Sequence, residues 1–405
     1  MEREAVLVAI DIGTSKVVAL IGEVTRDGAL NIIGKGSPPA AGLKKGVVIN
    51  IDQTTASIKA AIEGAERLSG YKLESAFVGV AGSHVESQNS RGAIAVSGPR
   101  REVSDEDVMR ATEVARAVQI PSNREVLHVL PRDFIVDGQE GVKDPLGMSA
   151  VRLEVETHIV HASATAVQNL SKCVQGAGIR IDELVASSLG SAEAVLSDTE
   201  KELGVAVADL GAGTTDLALF VDGSPFHTAV LPIGGINVTN DVAIGLKTGL
   251  DTAEALKMSH GTCDRRTIDP DEIVRVGDRD ASLGEVTDII EARMREIFEK
   301  IGEHLSAAGD EGMLPAGLVV TGGAAQLRGV AQLGREVLQM PVRVAAPGGV
   351  GGLVDNLLTP SYATSIGLLL WGARTVTEDD GRRYETAPAR GSIGRMRDWV
   401  RGLFP

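Results

Sequence analysis

A short glycine turn between apolar strands occurs twice in this chain, and the repetition narrows the folds open to it. The first is Asp11-Ile12-Gly13-Thr14-Ser15-Lys16, the second Asp209-Leu210-Gly211-Ala212-Gly213-Thr214-Thr215-Asp216. Strands are predicted over 5–12 and 16–24 around the first, and over 204–209 and 217–221 around the second. Each turn sets a carboxylate at a strand end, then glycines, then hydroxyls. Glycines let backbone N–H groups close around an anion. The hydroxyls of Thr14, Ser15, Thr214 and Thr215 add donors, and Lys16 supplies positive charge to a phosphate. Asp11 and Asp209 would repel phosphate oxygens, so their place is around Mg²⁺ or its water shell. A hairpin turn at which Asp is favoured accounts for either turn alone. It accounts poorly for two in a duplicated setting. Neither is a Walker loop or a Gly-x-Gly-x-x-Gly fingerprint.

A third glycine element follows an apolar run, Val319-Val320-Thr321-Gly322-Gly323-Ala324. Gly322, Gly323 and Ala324 there allow flat approach of a base or sugar to the backbone. Glu254 and Lys257 lie three residues apart on one predicted helix, where they either contact ribose and base edges or form a solvated pair.

Composition sets outer limits. The 405 residues suggest two or three domains. Forty-eight glycines imply many tight turns. A net charge of −15 argues against a general nucleic-acid binder and, for the body of the chain, against an anionic membrane surface. Cys173 and Cys263 form no disulfide framework and no zinc spacing, which points to a reducing compartment. The acidic start and short apolar run at 6–10 do not read as a signal peptide. No run reaches the ~18 apolar residues of a spanning helix, 366–371 being the best candidate. The chain reads as cytoplasmic and non-spanning.

Further strands are predicted at 30–34, 47–51 and 77–80, with Asp52 capping a helix over 54–68. Residues 83–160 are more polar and read as a small inserted domain, with a helix opened by Ser104 and running to 118. His84, His158 and His161 read there as ordinary strand residues. A helix is predicted at 191–196, a long one at 283–305, and a flexible linker at 374–391.

The end of the chain differs from the rest. Residues 381–405 hold six arginines against two acids, so the acidic average hides a basic tail. At helical spacing, Ile393, Met396, Trp399, Val400, Leu403 and Phe404 share one face, flanked by Arg395, Arg397 and Arg401. Such a helix, about 20 Å long, is too short to span a bilayer. It suits the membrane interface, with Trp399 at headgroup depth; docking on the protein's own core or on a partner is the alternative.

Phosphate and nucleoside turns in this order resemble the actin/hexokinase/heat-shock-chaperone ATPase fold. Four further segments resemble the FtsA family of actin-like division proteins: Lys44-Lys45 with Gly46–Asp52, Pro145–Met148 through Arg152–Val155, Glu202–Val205, and Pro232–Gly235. The resemblance covers about residues 5–373 and the tail. It implies an α/β chain of two actin-like lobes around a nucleotide cleft. Residues 1–82 and 161–200, with part of 345–373, would form the first lobe, and 83–160 an inserted small subdomain. The second lobe would span 201–344, with a small subdomain at about 240–310. A linker at 374–391 and a membrane-targeting helix at 392–405 would follow.

The resemblance also implies ATP and Mg²⁺, assembly into filaments, anionic lipids bound by the tail, and recruitment of later division proteins. Its further partner is the acidic-hydrophobic C-terminal peptide of the tubulin-like FtsZ. Arg293, Arg295 and Lys300 could meet those acids, or pair with Glu291, Glu296 and Glu299 on their own helix. The implied location is the cytoplasmic face of the inner membrane at the division site. Active members of the superfamily carry a water-orienting Gln or Glu before the second phosphate turn. Here that stretch is Val185-Ala186-Ser187-Ser188-Leu189, so ATP binding is expected more than turnover. Two other readings stay open: a PilM-like pilus assembly protein, and a sugar or acetate-type kinase, which would need a catalytic Asp and has no use for a membrane helix.

Overall fold

A computed structural model describes residues 5–25, 28–97, 100–277, 279–309 and 314–379, with side chains to 375. The tail residues Ile393, Arg395, Met396, Arg397, Trp399, Val400, Arg401, Leu403 and Phe404 lie outside the described residues.

Ala5–Ile12 and Val17–Val24 are buried along nearly their whole length, not on alternate residues. That pattern belongs to a sheet covered on both faces. The first sheet runs Arg180–Ala186, Ser75–Val80, Ala5–Ile12, Val17–Val24, Leu30–Gly36, Val350–Gly352. The second runs Val342–Val344, Leu318–Thr321, Val205–Leu210, Thr215–Val221, Ser224–Leu231. Each has two parallel neighbours on one side of its first strand and an antiparallel meander on the other. The second sheet is thus the first repeated, less one edge strand.

Two helices join the lobes. Ser187–Val195 packs on the second sheet and Ala363–Asp379 on the first, and they cross each other. The crossing is close because both carry glycine there: a Cβ on Gly367 would stand 1.7 Å from the Gly190 oxygen. The helix at 187–195 begins earlier than the predicted 191. Its residues are buried on all sides, so no apolar stripe marks its start.

The stretch between Val80 and Arg180 forms a four-stranded antiparallel sheet, Glu86–Ala95, Arg152–Ser163, Arg124–Val136 and Gln139–Val142. Helix Asp105–Arg116 covers one face over Val108, Ala111, Phe134, Leu153 and Val155. Ser104 caps that helix in a capping box with Asp107. The unit is pinned to the second lobe: Ser87 Oγ donates to Thr228 O at 2.9 Å, and Asn89 Nδ2 to Phe226 O at 3.0 Å.

In the second lobe, helices Gly235–Gly245, Leu250–His260 and Leu283–Ala308 pack beside the hairpin Ile273–Val276/Arg279–Ser282. The long helix buries Ile290, Met294, Ile297, Phe298 and Ile301 along one stripe.

Four expectations are corrected. The strand predicted at 47–51 is only Val47–Val48, and Ile51 already opens the helix Ile51–Ser69. Asn50, not Asp52, caps that helix, accepting from Gln53 N–H at 3.0 Å. Residues 374–379, placed in the linker, continue the helix Ala363–Asp379. His84 lies in a turn, whereas His158 and His161 are strand residues. Among the described residues no helix is long and apolar enough to cross a membrane.

Candidate nucleotide site

The two glycine turns are built alike. Gly13 N–H donates to Lys16 O at 3.1 Å, and Gly211 N–H donates to Thr214 O at 2.9 Å. In the flanking hairpins Asp11 faces Val18, and Asp209 faces Asp216. One offset in the sequence therefore relates Asp11 to Asp209, Gly13 to Gly211, Lys16 to Thr214 and Val18 to Asp216. The turns also meet across the lobes. A Cβ on Gly213 would lie 2.5 Å from Thr14 Oγ1 and 3.1 Å from Lys45 Cα. Thr14 Oγ1 in turn accepts from Gly46 N–H at 3.3 Å.

The start of helix Gly235–Gly245 is tied to the second turn, with Gly235 N–H donating to Gly211 O at 2.9 Å and Ile236 N–H to Ala212 O at 2.8 Å. The third element closes on the same place. Gly322 has φ +90°, and a Cβ there would stand 2.3 Å from Asp209 Oδ1. Only glycine allows both that backbone and that approach. Ala324 lies beside Gly235, whose added Cβ would be 3.3 Å from the Ala324 Cβ and 3.7 Å from Lys257 Nζ.

Three carboxylates, Asp209 and Asp216 buried and Asp11 half-buried, converge electrostatically at the turns. Asp11 is pushed up to about 7, first by burial and then by the charge of Asp209. Burial also raises Asp209, against a 2.6 Å hydrogen bond from Thr364 Oγ1. Asp216 is pushed up to about 8 by burial and by Asp209. Thr214 Oγ1 donates to Asp216 Oδ2 at 2.9 Å, while Oδ1 is buried and has no partner. Acids that raise one another at an interior cleft fit a cation. Among the described residues no three acidic, His or Cys side chains come close enough to ligate an ion directly. The arrangement suits an ion held through its water shell, as Mg²⁺ commonly is.

The remaining candidates fall into three groups. Lys16 reaches Ser361 Oγ at 3.4 Å and lies over the Tyr362 ring, 3.4 Å from its centroid. Ser15 is exposed and free to face a ligand, whereas Thr215 Oγ1 is buried and donates to Ile233 O at 2.9 Å. Lys257 is nearly buried, donating to Gly235 O at 3.2 Å and Thr239 Oγ1 at 2.9 Å, with Glu254 at 2.7 Å. Glu254 stays half exposed at the same spot and also contacts Thr239. Gly323 has open space where a Cβ would be.

Arg293, Arg295 and Lys300 lie on the long helix, already paired: Arg293 with Asp241 and Glu296, Arg295 with Glu291 at 3.0 Å, Lys300 with Glu303 at 3.7 Å. In the connection before the second turn, Ala186 N–H donates to His128 Nε2 at 3.1 Å, and Ser187 and Ser188 follow it. No carboxylate or amide stands there.

Sequence reasoning did not assign Asp216, Thr364 or Tyr362 to the site. The offset between the turns maps Asp216 onto Val18 and gives no signal for it; only the hairpin register that sets it opposite Asp209 does. Thr364 and Tyr362 carry no local signal, being brought in from the far end of the chain.

Comparison with known proteins bears on the family and the fold. The description "SHS2 domain inserted in FTSA" matches residues 82–161, and "Cell division protein FtsA" matches 206–367. The chain is 42% identical over 410 residues to the cell division protein FtsA of Pseudomonas aeruginosa, covering 98% of each. It is 38% identical over 414 residues to that of Neisseria meningitidis, covering all of both. It is 40% identical over 380 residues to that of Bacillus subtilis, covering 92% of this chain and 85% of the relative. Among solved structures, a PilM-PilN type IV pilus biogenesis complex superposes with a TM-score of 0.66 at 18% identity, covering 92% of this chain and 99% of the other. MreB5 of Spiroplasma citri bound to ADP superposes at 0.56 and 14%, covering 94% and 99%. At such identities these two speak to the actin-like fold alone.

Proposed function

The chain belongs to the FtsA family of cell division proteins, and from that premise we propose an ATP-binding, filament-forming protein that tethers the FtsZ ring to the cytoplasmic membrane and recruits later division proteins. The observation that carries the nucleotide part is the pair of matched Asp-Gly turns meeting between the lobes, with Asp209 and Asp216 buried and Asp11 half-buried beside them.

In this reading, N–H groups of the two turns and the Lys16 ammonium hold the phosphate chain. Asp11, Asp209 and Asp216 hold the water shell of Mg²⁺, which would neutralise phosphate charge when bound. Gly322, Gly323 and Ala324 form a floor for the base, and Glu254 and Lys257 stand at the ribose side. Without a carboxylate or amide at 185–189 to orient water, hydrolysis is slow and ATP serves as an assembly switch. The crossing of helices 187–195 and 363–379 is where lobe closure would pivot.

The small subdomain at about 240–310 is the proposed seat of the FtsZ C-terminal peptide. Arg293, Arg295 and Lys300 would take part by exchanging their present acids for those of the peptide. Residues 392–405 would place the protein peripherally on the cytoplasmic face of the inner membrane, through anionic lipids. The similarity to FtsA relatives over the full length favours this reading over the pilus and kinase alternatives.

The test is a pull-down with an FtsZ C-terminal peptide, paired with co-sedimentation on anionic vesicles of the full chain against residues 1–379. Peptide capture by both proteins and sedimentation of the full chain alone are expected. Absence of peptide capture, or equal sedimentation, would overturn the respective half. A turnover rate in the range of an ordinary kinase would overturn the switch.

A further inference from the structure

Two lysines share one aromatic ring beside the first phosphate turn. Lys16 Nζ lies 3.4 Å from the Tyr362 centroid and Lys35 Nζ 4.4 Å from it. Lys35 sits on strand Leu30–Gly36, which pairs with Val17–Val24, the strand that Lys16 immediately precedes. Both are partly buried, and among the described residues neither forms an ion pair within 4 Å. Two ammonium groups over one ring, with no carboxylate within 4 Å of either, repel each other, and Asp11 acts on Lys16 only from farther off. Burial lowers Lys16 first, and the charge of Lys35 lowers it further, against the pull of Tyr362 and Asp11.

The ring offsets part of this repulsion through its negative face. Its phenol is pulled below the usual range despite burial, by hydrogen bonding with Lys35 and Ser37 and by the charge of Lys16. Ser361 adds a hydroxyl on the Lys16 side. The ring cannot neutralise two full charges. A dianionic group with several acceptor oxygens can, and it would find two ammonium groups and two hydroxyls within reach.

We propose that Lys16, Lys35, Ser37, Ser361 and Tyr362 form a phosphate site, in which Lys35 is a binding residue and Tyr362 a positioning residue that holds the two ammonium groups together. Its occupant is either a phosphate of the nucleotide, in which case the site rests on the reading above, or free inorganic phosphate.

The test measures binding of ATP with Mg²⁺, and separately of inorganic phosphate, to the full chain and to Lys35→Gln, Tyr362→Leu and Tyr362→Phe. Lys35→Gln is expected to weaken one of the two ligands by about tenfold, and to reduce the salt dependence of its binding. Tyr362→Leu is expected to do the same, with Tyr362→Phe restoring most of the affinity because it keeps the ring. Loss with ATP names the nucleotide as the source; loss with inorganic phosphate alone names the free anion. If the full chain binds phosphate but no ATP and Lys35→Gln weakens that binding, the nucleotide reading fails and the phosphate site stands; unchanged phosphate binding overturns both. If it binds ATP and Lys35→Gln leaves both affinities and the salt dependence unchanged, the phosphate site is overturned and the nucleotide reading stands. A chain that binds neither ligand overturns both.

Discussion

Gly367 rests directly on the backbone of Gly190: a Cβ on the first would stand 1.7 Å from the oxygen of the second. Nothing flexible separates the two helices at that point. Gly367→Ala is therefore expected to force the helices apart and to destabilise the protein by about 3 kcal/mol, the upper end of the range for an overpacked core. Thermal unfolding would register this, and a variant as stable as the parent would show that the crossing yields easily. Gly28, with open space around it at φ +79°, is the control: Gly28→Ala meets only backbone strain.

The buried acids predict a pH dependence of definite sign. Asp11 and Asp216 have folded values of about 7 and 8, above the ordinary carboxylate value near 3.8. A raised acid stabilises the fold fully below its unfolded value, and that contribution is lost as pH rises through its folded value. Without Mg²⁺ and nucleotide, melting temperature should fall between about pH 6.5, above which the lowered His84, His158, His161 and His227 are neutral in both states, and pH 8. Asp216→Asn should flatten part of that slope. Mg²⁺ with nucleotide should also flatten it, and its binding should release protons near neutral pH. A metal-free profile that rises over this range would contradict the burial of these groups.

Gly213 is where the two turns touch, and its substitution probes the cleft without touching a carboxylate. Gly213→Ala puts a methyl 2.5 Å from Thr14 Oγ1 and 3.1 Å from Lys45 Cα. The Thr14 rotamer can move, but the Lys45 backbone cannot do so cheaply. Nucleotide affinity should drop roughly tenfold with little change in melting temperature, a difference of ~1.4 kcal/mol. Thr14→Ser, which removes only the nearby methyl, should recover part of the loss in the double variant.

Asp107 anchors the inserted unit. It accepts from Ser97 N–H at 3.1 Å and Oγ at 2.8 Å, from Ser104 N–H at 3.1 Å and Oγ at 2.6 Å, and from Arg110 at 2.6 Å. Burial opposes the charge, but hydrogen bonds from Ser104 and Ser97 overcome it and hold the carboxyl well below the usual range. Its contribution is present above the unfolded carboxylate value and lost as pH falls. Asp107→Ala should cost about 3 kcal/mol. Hydrogen exchange would locate the loss in helix 105–116 while the two sheets keep their protection.

Much of this site was legible because its chemistry demands glycine and aspartate at fixed spacing. The turns at 11–16 and 209–216 announce themselves, since few other needs put those residues between buried strands. Asp216 was within the quoted motif yet unassigned, because its role depends on the hairpin register that sets it opposite Asp209. Thr364 and Tyr362 reach the cleft only through the tertiary fold, as does the ring shared by Lys16 and Lys35. Helix 187–195 was half missed for a different reason. Buried all round and made largely of serine, alanine and glycine, it has no apolar face to read. The extension of the last helix to Asp379 runs through a β-branched, acidic stretch whose composition favoured a linker.

The edge pairing of Val350 with Leu30 has a consequence for biosynthesis. The second sheet draws all its strands from one contiguous stretch, Val205–Val344, and can close as soon as that stretch is made. The first sheet holds strands from the start of the chain but waits for Arg180–Ala186 on one edge and Val350–Gly352 on the other. Its inner helix, Ala363–Asp379, emerges later still. During translation the N-terminal strands are made first and completed last, so the ribosome-bound chain carries an open, apolar sheet edge for most of its synthesis. Such edges invite pairing with other chains, which makes this lobe the part of a nascent molecule most in need of a chaperone.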